Sequence, residues 1–571
     1  MKNLHLEAVF HEPKGRFAYA YNEELLHIRL MTKKDSISNI EIVYGDPFLW
    51  TKENDKYKWV SNNKVMSKVA QTDLHDYWQV EISTLRKRFK YAFILEGNTL
   101  FGSNKIVEVT NEFNLFNFFS FPFISKSDIL TAPSWIDDTV WYHIFPDRFN
   151  TLNPLVDWEE SEVKNNIIFG GSLKGIESKL DYLVDLGITG LYLNPIFESP
   201  SAHKYDTRDY LKVDKSFGTN QDLKDLVKES HNRGIKVMLD AVFNHCGWEH
   251  PFFQDVVKNG ASSKYYDWFI LVDEPMINFE IENDQPVKTK TMPNYHTFAH
   301  TKFMPKWNTD NIDTQDYLIG IAVEWIKEFD IDAIRYDVAD EVSHDLWTRL
   351  NHEVRKVKPD FYHLGETWHN GNPWLENNQF NGIMNYKLMF AIDEYFKEET
   401  TISEFKQSIN KVLMLYPQNA LEKMYNLLDS HDTERALSKY GINTTLAIVF
   451  MMLFPGRPAI YYGTEIDLDG ANDPDNRKPY PWHKESSTTF DLIKKLSLIK
   501  KEHKLKHFKW VQSDSVIYTV DSLIILMDIN NKGIIIPKEL EGTYTDLLTN
   551  KKITLKGNLH LKTQFLILKK G

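Results

Sequence analysis

Carboxylate, guanidinium and imidazole side chains that could perform acid–base chemistry stand directly after short apolar runs of this sequence. The run at residues 331–336 is followed by Asp337, and Arg335 lies two positions earlier, on the same face of a β-strand. An arginine this close favours the charged form of a carboxyl group, so we expect Asp337 to be ionised at neutral pH. Taken alone, the pair is equally compatible with a buried structural ion pair.

Similar polar residues follow several other apolar runs. They are Asp240, Asn244 and His245 after one run, Glu366 after another, and His431 with Asp432 after a third. Glycoside cleavage needs one carboxylic acid that protonates the leaving oxygen and one carboxylate that attacks or activates water, about 5 to 5.5 Å apart in retaining enzymes. If Asp337 and Glu366 end neighbouring strands, they can supply that pair.

Alternating strand-like and helical segments would position these residues. Apolar runs occur at residues 140–145, 190–194, 235–240, 331–336, 361–366, 382–386, 424–429 and 459–462, and segments of helical spacing between them include 173–186, 220–233, 317–329 and 343–357. This alternation predicts an α/β fold, a (β/α)8 TIM barrel over residues 126–503, whose chemistry gathers at the C-terminal ends of the strands. The longest interruption, residues 246–310, predicts a domain inserted after strand three.

The two ends of the chain have a different pattern. A chain of 571 residues is expected to hold about three or four domains. Short alternating runs predict an N-terminal β-sandwich over residues 1–125 and a C-terminal β-domain over residues 504–571. Residues 113–123 contain six phenylalanines, which we expect to pack against the neighbouring domain or to form a subunit interface.

Composition excludes several classes of partner. The formal net charge of −13 argues against nucleic acid or an anionic membrane, because both attract basic surfaces. The first residues lack the apolar stretch of a signal peptide, no window has the roughly twenty apolar residues of a membrane span, and Cys246 is the only cysteine. We therefore expect a cytoplasmic protein. The sequence has no glycine-rich phosphate loop, so we do not expect a nucleotide cofactor.

Four segments together resemble the four signature regions of the α-amylase family of glycoside hydrolases, in the same order. They are Asp240-Ala-Val-Phe-Asn-His245, Arg335-Tyr-Asp337-Val-Ala-Asp-Glu341, Gly365-Glu-Thr-Trp-His369 and Leu428-Asp-Ser-His-Asp432. Met304-Pro-Lys-Trp-Asn308 is similar to a fifth motif of the branch that holds cyclomaltodextrinases, maltogenic amylases and neopullulanases, and the N-terminal region resembles the starch-binding-type domain of that branch.

The resemblance implies a retaining hydrolase of α-1,4-glucosidic bonds in cyclodextrins, maltooligosaccharides, pullulan or starch, with some transfer to sugar acceptors. Asp337 would be the nucleophile, Glu366 the general acid and base, and Asp432 the transition-state stabiliser. Substrate contacts would come from His203, Tyr205, His245, Arg335, Trp374, His431, Asp473 and Arg477, with Asp240 and Asn244 as structural support. A glucanotransferase and a non-catalytic glucan-binding protein are the alternatives.

The resemblance also implies a homodimer in which the N-terminal domain of one subunit covers the active site of the other. Trp307 replaces the usual leucine of the fifth motif, and we expect it to alter the lining of the leaving-group side; Tyr480 replaces a usual methionine. The family's acidic calcium loop is reduced here to Asn150-Thr-Leu-Asn-Pro-Leu, which has too few oxygen donors, so no metal is predicted and calcium is left open. Asp340 and Glu341 are open to a structural or a substrate-rim role.

Overall fold

A computed structural model describes residues 4–53, 55–83, 85–110, 112–287, 291–376, 378–484, 487–529, 531–561 and 563–570. The chain divides into two compact units. The first comprises Met1–Thr131, Glu398–Glu422 and Lys509–Tyr518, and the second comprises Ala132–Lys397, Lys423–Phe508 and Thr519–Gly571.

The first unit contains a β-sandwich. Its strands are Ala18–Ala20, Leu25–Lys33, Ile40–Gly45, Trp50–Glu53, Lys56–Trp59, Asn62–Val65, Ser67–Gln71, His75–Ser83, Phe89–Leu95, Thr99–Phe101, Ile106–Glu108 and Phe119–Phe121, and its helices include Ile402–Leu415 and Gln418–Leu421. Leu25–Lys33 pairs with His75–Ser83 in one antiparallel sheet, and Ile40–Gly45 pairs with Phe89–Leu95 in another. Apolar side chains from both sheets, such as Ile28 and Phe93, share one core, which confirms the predicted sandwich.

The phenylalanine-rich segment belongs largely to the core of this sandwich. The strand Phe119–Phe121 pairs with Phe89–Leu95, and Phe119 and Phe121 point to the same side because side chains alternate along a strand. Both enter the shared core, and Phe118 packs edge-on against Trp59. The segment thus packs largely within its own domain, contrary to the expectation of packing on the neighbouring one; Phe116 and Phe123 are exposed, and a subunit interface stays a prediction.

The second unit contains the predicted barrel. We number its strands β1 (Trp141–Ile144), β2 (Gly190–Leu193), β3 (Lys236–Ala241), β4 (Ala333–Tyr336), β5 (Tyr362–Gly365), β6 (Gly382–Ile383), β7 (Tyr425–Asn426) and β8 (Arg457–Tyr461). In the described part of the chain they form one parallel sheet in the spatial order β6-β5-β4-β3-β2-β1-β8-β7. A parallel bridge between Met384 and Tyr425 joins its two edges and closes the barrel.

Strand register explains why charged residues gather at one end. Asp240 of β3 lies beside Arg335 of β4, and Tyr336 of β4 lies beside Gly365 of β5. Because residues side by side in a parallel sheet face the same way, Asp240 and Arg335 both point inward. Asp337 and Glu366 follow directly at the C-terminal ends of β4 and β5.

Helices and further strands lie between the barrel strands in sequence and after them. The helices are Pro146–Phe149, Leu173–Glu177, Leu180–Leu186, Asn220–Asn232, Pro251–Asn259, Ile312–Phe329, His344–Val357, Tyr386–Phe396, Ala436–Tyr440, Thr444–Leu453 and Thr488–Glu502. The short strands between the barrel strands are Phe197–Glu198, Asp209–Val213, Ile281–Glu282 and Gln285–Pro286, and the last two lie within the segment inserted after β3. The strands near the C terminus are Phe508–Trp510, Val516–Val520, Leu523–Met527, Ile534–Ile535, Gly542–Asp546, Lys552–Leu555, Asn558–Leu559 and Phe565–Lys570.

Several predicted boundaries differ from those of the structure. The run at residues 382–386 is a strand only as far as Ile383, because the Asn385 side chain accepts a hydrogen bond from the Leu388 amide and begins the helix Tyr386–Phe396. The run at residues 424–429 is a strand only over Tyr425–Asn426, and residues 173–186 form two helices. The stretch Ala436–Leu453 has the length and apolar composition to cross a membrane, but 67% of it is buried within the fold, as in a core helix.

Candidate active site

A cavity of about 570 Å³ opens at the C-terminal ends of the barrel strands. Its lining is Asn165, His203, Tyr205, His245, Phe298, Met304, Asp337, Val338, Asp340, Glu341, Glu366, Trp368, His369, His431, Asp432, Asp473 and Arg477. The structure thus brings together Asp337, Glu366 and Asp432 with six residues predicted to contact substrate. Volume and polarity are those of a small-ligand site.

The guanidinium of Arg335 lies beneath the cavity and joins three carboxylates. Its Nη1 donates hydrogen bonds to Oδ1 of Asp337 at 2.7 Å and to both carboxylate oxygens of Asp240 at 2.9 and 3.0 Å. Its Nη2 lies 2.7 Å from Oε1 of Glu366 as an ion pair, without hydrogen-bond geometry. One buried cation therefore faces three buried carboxylates, and the attraction it supplies is divided among them.

The pKa values of the two central carboxyl groups reflect this shortage of positive charge. Burial raises the pKa of Asp337, and the charges of Glu366 and Asp240 act in the same direction against Arg335. Burial also raises the pKa of Glu366. The expectation that Arg335 simply keeps Asp337 ionised is therefore incomplete, because Asp337 and Glu366 titrate as a pair that retains a proton more readily than two isolated carboxyl groups.

A strained backbone turn holds the Glu366 side chain. Val338 has the left-handed conformation, with φ of 46°, which a β-branched residue rarely adopts. The Val338 amide donates to Oε2 of Glu366 at 2.8 Å, and the Trp368 indole donates to Oε1 at 3.1 Å. Both carboxylate oxygens are thus fixed, one by the backbone and one by a neighbouring ring.

Asp432 has surroundings that favour its charged form. Although burial acts to raise it, the pKa of Asp432 is held below its usual range by His431, whose Nε2 lies 2.9 Å from Oδ2, and by the guanidinium of Arg477. Arg477 also pairs with Asp473 at 2.9 Å and donates to Asn165 at 3.1 Å. These contacts build the wall of the cavity on the Asp432 side.

Two of the imidazoles that line the cavity, those of His203 and His245, are held in neutral form by burial. Burial lowers the pKa of His245 to about 3, and burial also lowers the pKa of His203. The His245 ring stacks on Phe298 with centroids 4.8 Å apart, and its Nε2 has no hydrogen-bond partner among the described residues. Such a buried nitrogen facing a cavity is suited to a ligand hydroxyl.

Besides Arg335, three predicted site residues lie outside the cavity lining: Asp240, Asn244 and Trp374. Asp240 and Asn244 are buried beneath it, where Asn244 accepts a hydrogen bond from Lys306. The structure does not bring Trp374 to the cavity: its half-buried indole stacks on His344, with centroids 5.3 Å apart. Glu341, which does line the cavity, is held by the Lys306 ammonium at 2.9 Å.

The positions at which this sequence departs from the family's usual residues have structural explanations. Trp307 does not line the leaving-group side, contrary to expectation, because its indole is fully buried and stacks on Phe269 at 4.8 Å. The Tyr480 hydroxyl donates to the buried Glu465 at 3.0 Å, a contact that methionine could not make. The Asn150 amide, at the start of the shortened loop, donates to the Gly175 carbonyl at 3.0 Å. Within the described ranges, no group of three or more His, Cys, Asp or Glu could hold a metal ion.

Sequence reasoning missed several residues of the site. They are Asn165, Phe298, Met304, Val338, Trp368 and His369 in the lining, Lys306 beside it, and His143 and Asn194 beneath it. Asn194 carried a usable signal, since it is a polar residue directly after an apolar strand. Asn165 and Phe298 carried none, because they lie in irregular segments whose position depends on tertiary packing.

The chain matches two protein-family models, alpha amylase, catalytic domain, over residues 143–532, and alpha amylase, N-terminal ig-like domain, over residues 4–125. It is 42% identical to a cyclomaltodextrinase of Geobacillus thermopakistaniensis (strain MAS1) over 517 residues, 87% of this chain and 85% of the relative. It is 40% identical to an intracellular maltogenic amylase of Bacillus subtilis (strain 168), over 96% and 94%. A solved cyclomaltodextrinase structure has a TM-score of 0.86 at 34% identity, over 99% of this chain and 97% of that one.

Proposed function

The chain belongs to the alpha-amylase family of glycoside hydrolases, and from this premise we propose that it cleaves α-1,4-glucosidic bonds of small or cyclic glucans with retention of configuration. The observation that carries the proposal is the Arg335 guanidinium, which contacts the carboxylates of Asp337 and Glu366 at the floor of one cavity. A retaining mechanism requires two carboxyl groups at a shared site, one charged and one protonated.

Asp337 is the nucleophile in this proposal, and Glu366 is the general acid. Arg335 donates a true hydrogen bond to Asp337 but makes only an ion-pair contact with Glu366. A retaining mechanism needs the second carboxyl group protonated, and in this proposal Glu366 carries that proton. Glu366 protonates the leaving glycosidic oxygen as Asp337 forms a bond to the anomeric carbon, and the Glu366 carboxylate then accepts a proton from the water that releases the sugar.

Asp432 stabilises the transition state in this proposal. Its carboxylate is charged, and the transition state carries positive charge at the sugar ring. His203, Tyr205, His245 and His431 supply hydrogen bonds and ring contacts to the sugar at the cleavage point. Asp473 and Arg477 close the far end of the cavity.

The experiment that tests the function is a substrate panel of cyclodextrins, maltotriose, soluble starch and pullulan, with the anomeric form of the first product followed by NMR. We expect α-products, with small and cyclic glucans cleaved faster than starch. An inverted β-product, or no cleavage of any member, would contradict the proposal. Repeating the panel with an added sugar acceptor separates a hydrolase from a glucanotransferase, in which transfer products would dominate.

We further propose a cytoplasmic homodimer assembled through the first unit. The match to a relative named intracellular supports the location. The aromatic side chains of Phe48, Trp50 and Tyr57 are exposed on the first unit, and exposed aromatic clusters are typical of interaction surfaces. Light scattering at micromolar concentration should give about twice the chain mass of 67.1 kDa; a monomer would contradict the assembly.

A further inference from the structure

We propose that Asn194, held in place by His143, is a positioning residue that fixes the proton of His431 on Nε2, the ring nitrogen that faces Tyr205 and Asp432 at the sugar site. Asn194 directly follows β2, and His143 lies within β1. Neither residue lines the cavity, and both are buried beneath it. The inference rests on the proposed function, because it assigns their role through Asp432.

The first step is to count hydrogens at Tyr205, whose hydroxyl has one to donate. The hydroxyl lies 2.9 Å from Oδ2 of Asp240, a carboxylate that Arg335 holds and that can only accept. The Tyr205 hydrogen therefore goes to Asp240, and its oxygen must accept from Nε2 of His431 at 2.7 Å. Nε2 also lies 2.9 Å from Oδ2 of Asp432, a contact without hydrogen-bond geometry, so its one hydrogen points to Tyr205 with the Asp432 carboxylate beside it.

The second step is the orientation of the Asn194 amide. Its Nδ2 lies 2.9 Å from the Tyr205 hydroxyl and 3.1 Å from Nδ1 of His431, so it donates to both, and Nδ1 carries no hydrogen. Its Oδ1 then faces Nε2 of His143 at 2.9 Å, which must donate. Burial lowers the pKa of His143 and keeps that ring neutral, so its single N–H locks the amide against rotation.

The consequence is a His431 ring whose Nε2 hydrogen points to the Tyr205 hydroxyl, with the carboxylate of Asp432 beside it. A proton on Nδ1 would face the N–H groups of the Asn194 amide, which disfavours imidazolium. A neutral ring suits this site because positive charge develops on the nearby sugar in the transition state. The groups that surround His431 are His143 from β1, Asn194 after β2, Tyr205, Asp240 from β3, Arg335 from β4, Asp432, and Arg477, which donates to the His431 carbonyl at 3.0 Å.

Asn194→Asp tests this role with a side chain of the same shape. A carboxylate would accept a hydrogen from Nδ1 and favour imidazolium, so the acid limb of the kcat–pH profile should move up by roughly one pH unit. Below that limb kcat should fall about 100-fold, with KM little changed. An equal loss of activity at every pH, with the limb unmoved, would mean a merely structural role and overturn the proposal.

A matched pair of variants tests the lock. His143→Gln keeps a donor toward Oδ1 of Asn194, whereas His143→Leu removes it. We expect the acid limb to move upward in His143→Leu, by less than in Asn194→Asp, and to return toward the wild-type position in His143→Gln. Equal profiles for the two variants would contradict a role for the His143 hydrogen bond.

A readout without activity separates this inference from the proposed function. Nitrogen-15 NMR of labelled histidine rings, with the His431 signals assigned by their loss in His431→Gln, reports which nitrogen carries the proton. We expect a neutral ring protonated on Nε2 at pH 7 in the wild-type chain and protonation on Nδ1 in Asn194→Asp. Protonation on Nδ1 in the wild type overturns the inference. The Nε2 form in a chain that cleaves no glucan would leave it standing while the proposed function fails.

Discussion

Two aspartates bracket the four residues of β4, and their surroundings differ at the two ends of the strand. Asp332, before the strand, contacts three basic side chains: Nε2 of His231 at 2.6 Å, Nζ of Lys236 at 2.9 Å and Nζ of Lys358 at 3.2 Å. Asp337, after the strand, shares one guanidinium with two other carboxylates.

The directions of the pKa shifts follow from this difference. Burial acts to raise the pKa of Asp332, but hydrogen bonds from His231 and Lys236 and the charge of Lys358 lower it well below the usual range. Burial raises the pKa of Asp337, and Arg335 does not outweigh it. The N-terminal end of the barrel therefore uses charge for stability, whereas the C-terminal end leaves charge undercompensated and available for chemistry, the division expected for this fold.

The largest predicted effect is on activity at the C-terminal end. Asp337→Asn removes the proposed nucleophile, and kcat should fall by about 10⁵-fold, as when other covalent nucleophiles are removed. The thermal midpoint should stay the same or rise, because the folded state no longer holds a buried carboxylate with a raised pKa. Scanning calorimetry measures the thermal midpoint, and initial rates measure kcat. A lower midpoint with retained activity would mean that Asp337 serves stability as Asp332 does, and would contradict the comparison.

The next effect separates the roles of the two carboxyl groups at that end. Glu366→Gln should lower kcat about 10²- to 10⁴-fold for an oligosaccharide, whose leaving oxygen needs a proton. An α-glucosyl fluoride, whose leaving group does not need one, should be affected far less in its first step. Pre-steady-state release of fluoride measures this. Equal losses for the two substrates would rule out Glu366 as the acid.

At the other end of β4, Asp332→Asn should act on stability alone. Removing one partner of a buried charge cluster leaves the others uncompensated, so the free energy of unfolding should fall by about 2 to 4 kcal/mol. We expect the lower end of this range because Lys236 and Lys358 are partly exposed to solvent. At a temperature where the variant is fully folded, kcat should change less than twofold. A loss of kcat as large as that of Asp337→Asn would break the comparison.

The smallest effect is the pH dependence of that stability loss. The pKa of Asp332 is lowered in the folded chain, so its contribution to the free energy of unfolding is fully present above the unfolded pKa of about 3.9. This contribution is lost as the pH falls from the unfolded pKa toward the folded pKa. The difference in unfolding free energy between wild type and Asp332→Asn should therefore be constant from pH 7 to 5 and shrink below pH 4. Denaturant titrations at each pH measure it; a difference that grows on acidification has the wrong sign.

How far the sequence predicts this site depends on the kind of residue. The barrel and the placement of Asp337, Glu366 and Asp432 could be predicted because apolar runs and charged residues alternate in sequence. The sequence predicted strands β6 and β7 that are longer than those in the structure. For β6 the reason is the Asn385 side chain, which caps the next helix through a local contact that periodicity does not reveal. Asn194 and His143 received no role from the sequence, because the contact that links them to the site is with His431, more than two hundred positions away. Trp307 was misplaced, because sequence does not tell a buried indole from an exposed one.

The most direct test of the central claim is to trap the covalent intermediate at the C-terminal end of β4. A 5-fluoro-α-glucosyl fluoride forms a slowly released glycosyl enzyme with a retaining glycosidase, and peptide mass mapping locates the sugar. We predict one added fluoroglucosyl group on the peptide that contains Asp337, and none in Asp337→Asn. A label on Glu366 or Asp432, or a fully active enzyme that never becomes labelled, would contradict the account.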